Sequence, residues 1–200
     1  MTAYLRLLHA SPGAPAVDVY ANGLKIASNL DYREFTPYLA LPTGSYNIQV
    51  FPAGRRTNPV LTSNLTVPPN SIQTVAVIDQ LPHLRLLPMP EPRMERRPNL
   101  VHLRFAQLSP NAPAIDLRLS HGATLFRNIH FGQVTPYISL HPGTYTLDLY
   151  RAGTNERLLH VPNVHLHGNR FYTVDAIGLV GGRPPLEVLI PLDGNSYLTS

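Results

Sequence analysis

An internal repeat constrains this chain more than any other feature. The segment HASPGAPAVDVYANG at residues 9–23 returns as QLSPNAPAIDLRLSHG at residues 107–122. The register, first 98 and then 99 residues, continues through nearly the whole length and matches Thr36-Pro37-Tyr38 to Thr135-Pro136-Tyr137. Self-similarity at one fixed period indicates repeated structural units. The sequence therefore predicts two tandem modules of one kind.

The segment PMPEPRMERRP, from Pro88 to Pro98, separates the two copies. Prolines at this density favour an extended, semi-rigid spacer. We therefore expect a first module at residues 1–88, a linker at 89–98 and a second module at 99–200.

Short apolar runs alternate with turn signals throughout the first copy. Proline occurs 21 times in the chain, which disfavours helix interiors. Strand-like runs broken by Gly, Pro and Asn every 8–12 residues are typical of sandwiches and barrels. We expect an all-β protein of two immunoglobulin-like or transthyretin-like β-sandwiches with about seven strands each. The predicted strands of the first copy are Tyr4–His9, Ala16–Tyr20, Pro37–Leu41, Ser45–Phe51, Val60–Val67, Ile72–Ile78 and Leu84–Leu87.

Composition excludes several classes of site. The chain has no cysteine, which rules out disulfides, thiolate metal sites and a cysteine nucleophile. Charged residues make up 14% and the net charge is +4, with scattered arginines. We interpret the one basic cluster, Arg93, Arg96 and Arg97, as solvated linker, so no nucleic-acid partner is expected. No apolar run approaches the roughly 20 residues of a membrane span, so no membrane insertion is expected.

The repeated phrase, together with TPYLALPTGSYNIQVFPAG and TVAVI, resembles the bacterial family called domain of unknown function 4397. The resemblance extends over both copies. It implies a β-rich module at an extracellular site or a cell or spore surface, with no activity to transfer. The start MTAYLRLLHASPG has no Sec signal peptide, so a cytoplasmic location is the alternative. In the second copy Gln107 replaces His9 and Arg118 replaces Tyr20, so no family site is carried over.

Four polar residues of the repeated phrase are candidate structural residues: Ser11, Asp18, Ser109 and Asp116. An acid inside an apolar run is costly unless it is exposed or hydrogen-bonded. We expect both aspartates to bond the SPxAP loop or a neighbouring strand, with a bound Ca²⁺ as the alternative. A His9–Ser11–Asp18 catalytic triad is disfavoured, because the second copy lacks the base.

His165 and His167 lie two residues apart on one face of a predicted strand, a spacing that offers two imidazoles to Zn²⁺, with His160 as a third ligand. The competing interpretation is the polar outer face of an amphipathic strand, and we predict no metal or other cofactor. The tyrosines that recur at matching places are candidate interaction residues: Tyr38, Tyr46, Tyr137 and Tyr145.

These observations favour a non-catalytic structural or interaction protein rather than an enzyme. Its expected partners are further copies of itself or other surface proteins, because open sheet edges accept added strands. The N-terminal segment MTAYLRL and the tail after Pro191 are the expected donor strands. The alternative is a module that binds a glycan or small ligand through loop tips or through its Tyr and His faces.

Overall fold

The repeated phrase begins at the end of the first strand, β1 (Ala3–His9), in the computed structural model, which describes residues 2–198. The chain divides into two units at Arg93 and Met94. Each unit has its own hydrophobic core. The all-β fold and the two sandwich-like halves predicted from the sequence are confirmed.

The first unit pairs two sheets of four strands each. One sheet has the order β4-β1-β7-β8 and the other the order β3-β2-β5-β6. Besides β1, the strands are β2 (Val17–Ala21), β3 (Leu24–Leu30), β4 (Leu39–Leu41), β5 (Gly44–Pro52), β6 (Leu61–Val67), β7 (Ile72–Ile78) and β8 (Arg85–Pro90).

The first sheet is built around a parallel pair. Strand β1 pairs with β7 from Tyr4↔Ile72 to His9↔Val77, while the other ladders are antiparallel. The inner faces of both sheets meet in one core, which includes Leu5, Leu7 and Val75. Because side chains alternate across a strand, the residues between the core positions point to the outer faces.

The alternation places the polar residues of the repeated phrase. Val17 and Val19 of β2 lie in the core, so Asp18 and Tyr20 point to the outer face of their sheet. The turn after β2 has positive φ at Asn22 (48°) and Gly23 (81°), the backbone that an Asn-Gly hairpin requires.

The second unit repeats this arrangement with sheets β12-β9-β15-β16 and β11-β10-β13-β14. Strand β9 pairs in parallel with β15, as β1 does with β7. The strands are β9 (Val101–Gln107), β10 (Ile115–Leu119), β11 (Thr124–Ile129), β12 (Ile138–Leu140), β13 (Gly143–Arg151), β14 (Arg157–Leu166), β15 (Arg170–Ile177) and β16 (Glu187–Leu189), and a 3₁₀ turn follows at Gly194–Ser196.

Each unit has eight strands within the described residues, one more than the expected number. The additional strand of the first unit is β3, whose sequence LKIASNL lacks a clean alternation because a β-bulge interrupts its pairing with β2. Across residues 2–198 the structure has no helix of the length and apolarity needed to cross a membrane.

The proline-rich segment differs from the predicted linker at its start, because β8 extends to Pro90. The next residue, Glu91, donates its backbone N–H to Ile72 of β7 at 2.8 Å. The backbone N–H and C=O groups of the odd-numbered residues of β8 therefore point toward β7. At the even-numbered positions Pro88 and Pro90, the N–H that proline lacks would point away from β7. An edge strand tolerates proline at such positions. The proline content of the segment therefore did not reveal that β8 continues to Pro90.

Candidate functional site

The loop between β1 and β2, which carries SPGAP, is fastened by its serine. The Ser11 hydroxyl donates to the backbone carbonyl of Asp79, after β7, at 2.6 Å. In the second unit the Ser109 hydroxyl donates to the carbonyl of Gly178, after β15, also at 2.6 Å. Both serines are buried. Each hydroxyl thus hydrogen-bonds its loop to the chain just after β7 in the first unit or just after β15 in the second.

His9 is buried and uses both ring nitrogens in the same loop. Its Nδ1 accepts the backbone N–H of Ser11 at 3.3 Å, and its Nε2 lies 2.9 Å from the carbonyl of Pro15. Nε2 therefore carries the hydrogen and donates it, which is the neutral imidazole. Burial lowers the pKa of His9. This effect outweighs the Pro15 carbonyl and the charges of Asp31 and Glu34, which raise the pKa.

Gln107 performs the first of these tasks in the second unit. Its side-chain oxygen accepts the backbone N–H of Ser109 at 2.7 Å. Glutamine and neutral histidine both offer an acceptor at this reach, so the exchange of His9 for Gln107 preserves the loop. The geometry gives His9 a backbone acceptor role, and the Ser11 hydroxyl points to Asp79 instead of to the imidazole.

The Asp18 carboxylate is buried and accepts hydrogen bonds from two backbone N–H groups. Oδ1 accepts from Asn29 at 2.8 Å and Oδ2 accepts from Gly54 at 3.0 Å, while Lys25 Nζ lies 3.8 Å from Oδ2. Asn29 has φ +50° and sits in the β3 bulge, where the ladder skips one residue. Asp18 thus satisfies an amide that the bulge leaves unpaired and ties the β5–β6 connection to the same point.

The same construction recurs at Asp116 in the second unit. Its Oδ1 accepts from Asn128 at 2.8 Å and its Oδ2 from Gly153 at 3.1 Å. Arg118 Nη2 lies 3.3 Å from Oδ2 of Asp116, as Lys25 Nζ lies near Oδ2 of Asp18 in the first unit. Both aspartates therefore face two amides and a cation.

Hydrogen bonding controls the ionisation of both acids. The amides of Asn29 and Gly54 lower the pKa of Asp18 and outweigh the opposing effect of burial. At Asp116 burial is the largest influence and raises the pKa, but the hydrogen bonds from Asn128, Gly153 and Arg118 together lower it below its usual value. Within residues 2–198, no group of three or more His, Cys, Asp or Glu side chains is placed to hold a metal ion.

Tyr46 and Tyr145 brace the turn between the fourth and fifth strands of their units. The Tyr46 hydroxyl donates to the carbonyl of Pro42 at 2.6 Å, and the Tyr145 hydroxyl donates to the carbonyl of His141 at 2.5 Å. A tyrosine hydroxyl bonded to backbone a few residues upstream is a familiar device of β-sandwiches.

Tyr38 belongs to a buried arginine cluster on the outer face of the first sheet, formed by Arg6, Tyr38, Thr74 and Glu91. Arg6 Nε donates to the Thr74 hydroxyl at 3.0 Å, and its guanidinium lies 4.5 Å from the centre of the Tyr38 ring. The hydroxyls of Thr74 and Tyr38 both donate to Glu91 Oε2, at 3.1 and 2.7 Å. The cluster closes the unit by binding the residue that follows its last strand.

The second unit builds the matching cluster from Arg104, Tyr137, Thr173 and Asp193. Arg104 Nε donates to Thr173 at 2.8 Å, and the hydroxyls of Thr173 and Tyr137 donate to Asp193 Oδ2 at 2.6 and 2.5 Å. Sequence reasoning placed the two tyrosines but missed their partners. The signal was an arginine inside an apolar strand at the same place in both copies, LRL and LRF.

The histidines predicted as zinc candidates lie where the alternation put them. His165 is exposed in β14 and His167 is exposed just after it, with Val164 and Leu166 buried between and beside them. His165 Nδ1 lies 2.8 Å from the Thr144 hydroxyl of β13. The spacing thus produces the polar face of an amphipathic strand.

His160 contacts an acid that the sequence analysis did not single out. Its Nδ1 lies 2.6 Å from Oδ1 of the buried Asp148, whose Oδ2 accepts from the Ser120 hydroxyl at 2.5 Å. Burial raises the pKa of Asp148, but the bonds from Ser120 and His160 outweigh it, and the net shift is downward. Asp148 lies between the serine and the histidine, so the order of a catalytic triad, with histidine in the middle, is not formed.

The role of His9 is tested by the exchange that the chain itself contains. We expect His9→Gln to lower the free energy of unfolding by less than His9→Ala does, because Gln retains the acceptor for Ser11 and loses only the hydrogen bond from Nε2 to Pro15. His9→Ala leaves that buried N–H unpaired and should cost about 1–3 kcal/mol. Urea unfolding of both variants measures the difference, and equal losses would contradict the acceptor role.

The Asp18 carboxylate gives a pH-dependent prediction. Its pKa is lowered in the folded state, so its contribution is present above the unfolded value of about 3.9 and is lost as pH falls through the folded value. Asp18→Asn directs an NH₂ group at a backbone N–H and should cost about 1.5–3 kcal/mol at pH 7. Urea unfolding at pH 7 and pH 3 should show this cost shrinking at the lower pH.

The exposed Asp31→Asn serves as the control for Asp18→Asn, and we expect it to change the free energy of unfolding by less than about 0.5 kcal/mol. A cost for Asp18→Asn that is the same at both pH values would contradict ionised Asp18 as the hydrogen-bond acceptor.

A search among curated proteins finds no match. Among solved structures the chain is similar to "The Bacillus anthracis TIE protein", with a TM-score of 0.29, 15% identity, 94% of this chain covered and 34% of that one. The chain thus spans about a third of that protein's chain.

A second similar structure is a family 26 carbohydrate-binding module from Eubacterium rectale Amy13K, in complex with maltoheptaose. Its TM-score is 0.29 at 10% identity, and 96% of each chain is covered. At this TM-score neither structure supports an argument about fold or function.

The family comparison is more informative. The model of the family described as "Domain of unknown function (DUF4397)" matches residues 3–118, from β1 into β10. This range covers more than half of the chain and includes both writings of the repeated phrase up to Arg118. The chain therefore belongs to the DUF4397 family.

Proposed function

We propose that this chain is a non-catalytic structural or interaction protein that self-associates by strand addition, within a bacterial surface, spore layer or other extracellular assembly. The observation that carries the proposal is the open form of its sheets. Each of the four sheets ends in two edge strands. Edge strands present backbone N–H and C=O groups that another chain can pair with.

The polar groups of the repeated phrase support a non-catalytic role. Ser11, His9 and Asp18 each bind backbone groups of their own unit. A nucleophile needs its hydroxyl directed at a base, and here the Ser11 hydroxyl is directed at a carbonyl.

The donor strands expected from the sequence are used within their own units. The N-terminal segment forms β1, which has β4 on one side and β7 on the other. In the tail, Leu192 bridges to Tyr172 and Asp193 joins the arginine cluster of the second unit. The proposal therefore assigns association to free edges instead of to the chain ends.

We also propose that the second unit is a second copy of the family domain. The matched strand orders and the parallel pairing of β9 with β15 support this. The carboxylate at Asp116 and the arginine cluster at Arg104, which repeat those of the first unit, support it further.

Light scattering coupled to size exclusion tests the proposed association. The expected result is a particle of at least twice the 22.1 kDa chain mass, with the larger species increasing as concentration rises. Negative-stain microscopy of the same fractions should show defined multimers. A monodisperse 22.1 kDa species at every concentration, together with saturable binding on a glycan array, would replace the proposal with the glycan-binding alternative.

A further inference from the structure

We propose that β6 of the first unit is the self-association edge and that it pairs antiparallel with β6 of a second copy about a two-fold axis at Asn64. This inference rests on the proposed self-association and names its interface. Three observations carry it: the protection of the other edges, the direction of the β6 backbone groups, and the pairing of like with like at most positions of the strand.

Among the edge strands of residues 2–198, β6 is the one that short length, proline, a register shift or a charged side chain does not protect, and the cover that the structure shows on its edge is the Gln73 side chain at Thr66. Strands β4, β12 and β16 have only three residues each. Strand β8 contains Pro88 and Pro90, and β14 contains Pro162. Strands β3 and β11 have register shifts and carry Lys25 and Arg127. Short length, proline, bulges and charge are the known protections of sheet edges.

Strand β6 is seven residues long, has the sequence LTSNLTV and pairs with β5 in unbroken register from Leu61 to Val67. It contains neither proline nor a charged side chain. A second copy therefore brings no like charge to this edge, whereas self-pairing of β3 or β11 brings lysine or arginine close to its own copy.

A side-chain contact shows which β6 backbone groups face outward. Gln73 Nε2 donates to the backbone carbonyl of Thr66 at 3.2 Å. In β5 the Asn47 carbonyl accepts from Asn22 on the β2 side. The β6 residues paired with Asn47 and Ser45 are Asn64 and Thr66, so their backbone groups point away from β5. In an antiparallel strand, N–H and C=O of one residue point the same way, and alternate residues point to opposite sides. The backbone groups of Thr62, Asn64 and Thr66 therefore face the free edge, and their side chains are exposed.

The sequence of β6 pairs like with like about Asn64 at most positions, and Ser63 opposite Leu65 of the second copy is the exception. An antiparallel two-fold pairing sets Thr62 opposite Thr66 of the second copy and Asn64 opposite its own counterpart. Leu61 then lies opposite Val67 of the second copy. Outward residues meet outward residues in this register, so each such pair can exchange two backbone hydrogen bonds.

An apolar groove of about 370 Å³ lies beside this edge. Its walls include Leu65 of β6, Ile72 of β7, and Pro88 and Pro90 of β8. The groove leaves apolar surface next to this edge that a second copy can cover.

The second unit does not offer the same edge. Strand β14 has a register shift opposite Tyr145 and Leu147, contains Pro162, and has Asn163 at φ +58°. It also carries Arg157 and His160. One two-fold edge per chain gives a closed dimer, because an isologous contact uses the same patch on both copies.

Proline at position 64 removes an outward N–H without disturbing the ladder to β5. We expect Asn64→Pro to keep the circular-dichroism spectrum of the wild type while raising the dimer dissociation constant at least tenfold. Analytical ultracentrifugation of the full chain measures the constant.

Charge pairs test the register. Thr62→Lys/Thr66→Lys sets lysine against lysine across the axis, and Thr62→Glu/Thr66→Glu does the same with glutamate, so each alone should be monomeric. An equimolar mixture should form heterodimers, because each lysine then faces a glutamate. Ala123→Lys/Ser139→Lys, which adds the same charge at exposed sites of the second unit, should dimerise like the wild type.

The outcomes separate the two proposals. A wild-type monomer at all concentrations overturns both. A wild-type multimer that persists in Asn64→Pro and in both charge variants overturns the β6 edge and leaves self-association standing. Monomeric charge variants that fail to combine when mixed overturn the two-fold register.

Discussion

A buried carboxylate that binds two backbone amides is the interaction on which each sandwich depends. Asp18 holds the amide freed by the β3 bulge and the amide of Gly54 beyond β5. One side chain thereby links the bulge of β3 to the turn that leads into β6. The bulge in turn sets the twist and position of an edge strand. Asp116 holds the equivalent groups. The acid inside the repeated phrase, a structural candidate in the sequence, thus joins neighbouring strands.

The two units differ where hydrogen-bonding chemistry permits a substitution. His9 and Gln107 each accept the backbone N–H of the serine two residues later. Glu91 and Asp193 each accept hydrogen bonds from the hydroxyls of a threonine and a tyrosine. These hydrogen bonds recur in the two units although the residues that make them differ.

Much of the fold could be predicted because strand alternation and turn residues act locally. The repeat, the all-β class and the outward direction of Asp18 follow from periods of two and from proline and glycine positions. The β3 strand, the end of β8 and the partners of Tyr38 could not be predicted. A bulge hides the alternation of β3, and the other two features depend on contacts between distant residues, such as Arg6 with Thr74 or Glu91 with Ile72. The free edge at β6 emerges only after the strand order is known.

The central claim is that the repeated phrase forms a frame whose carboxylates hold backbone amides. Amide hydrogen exchange by NMR at pH 7 tests this directly. Asn29, Gly54, Asn128 and Gly153 are exposed residues, yet their amides should exchange as slowly as those of the core residues Val75 and Val174. Exchange at these four amides near the rate of an unstructured peptide would contradict the claim.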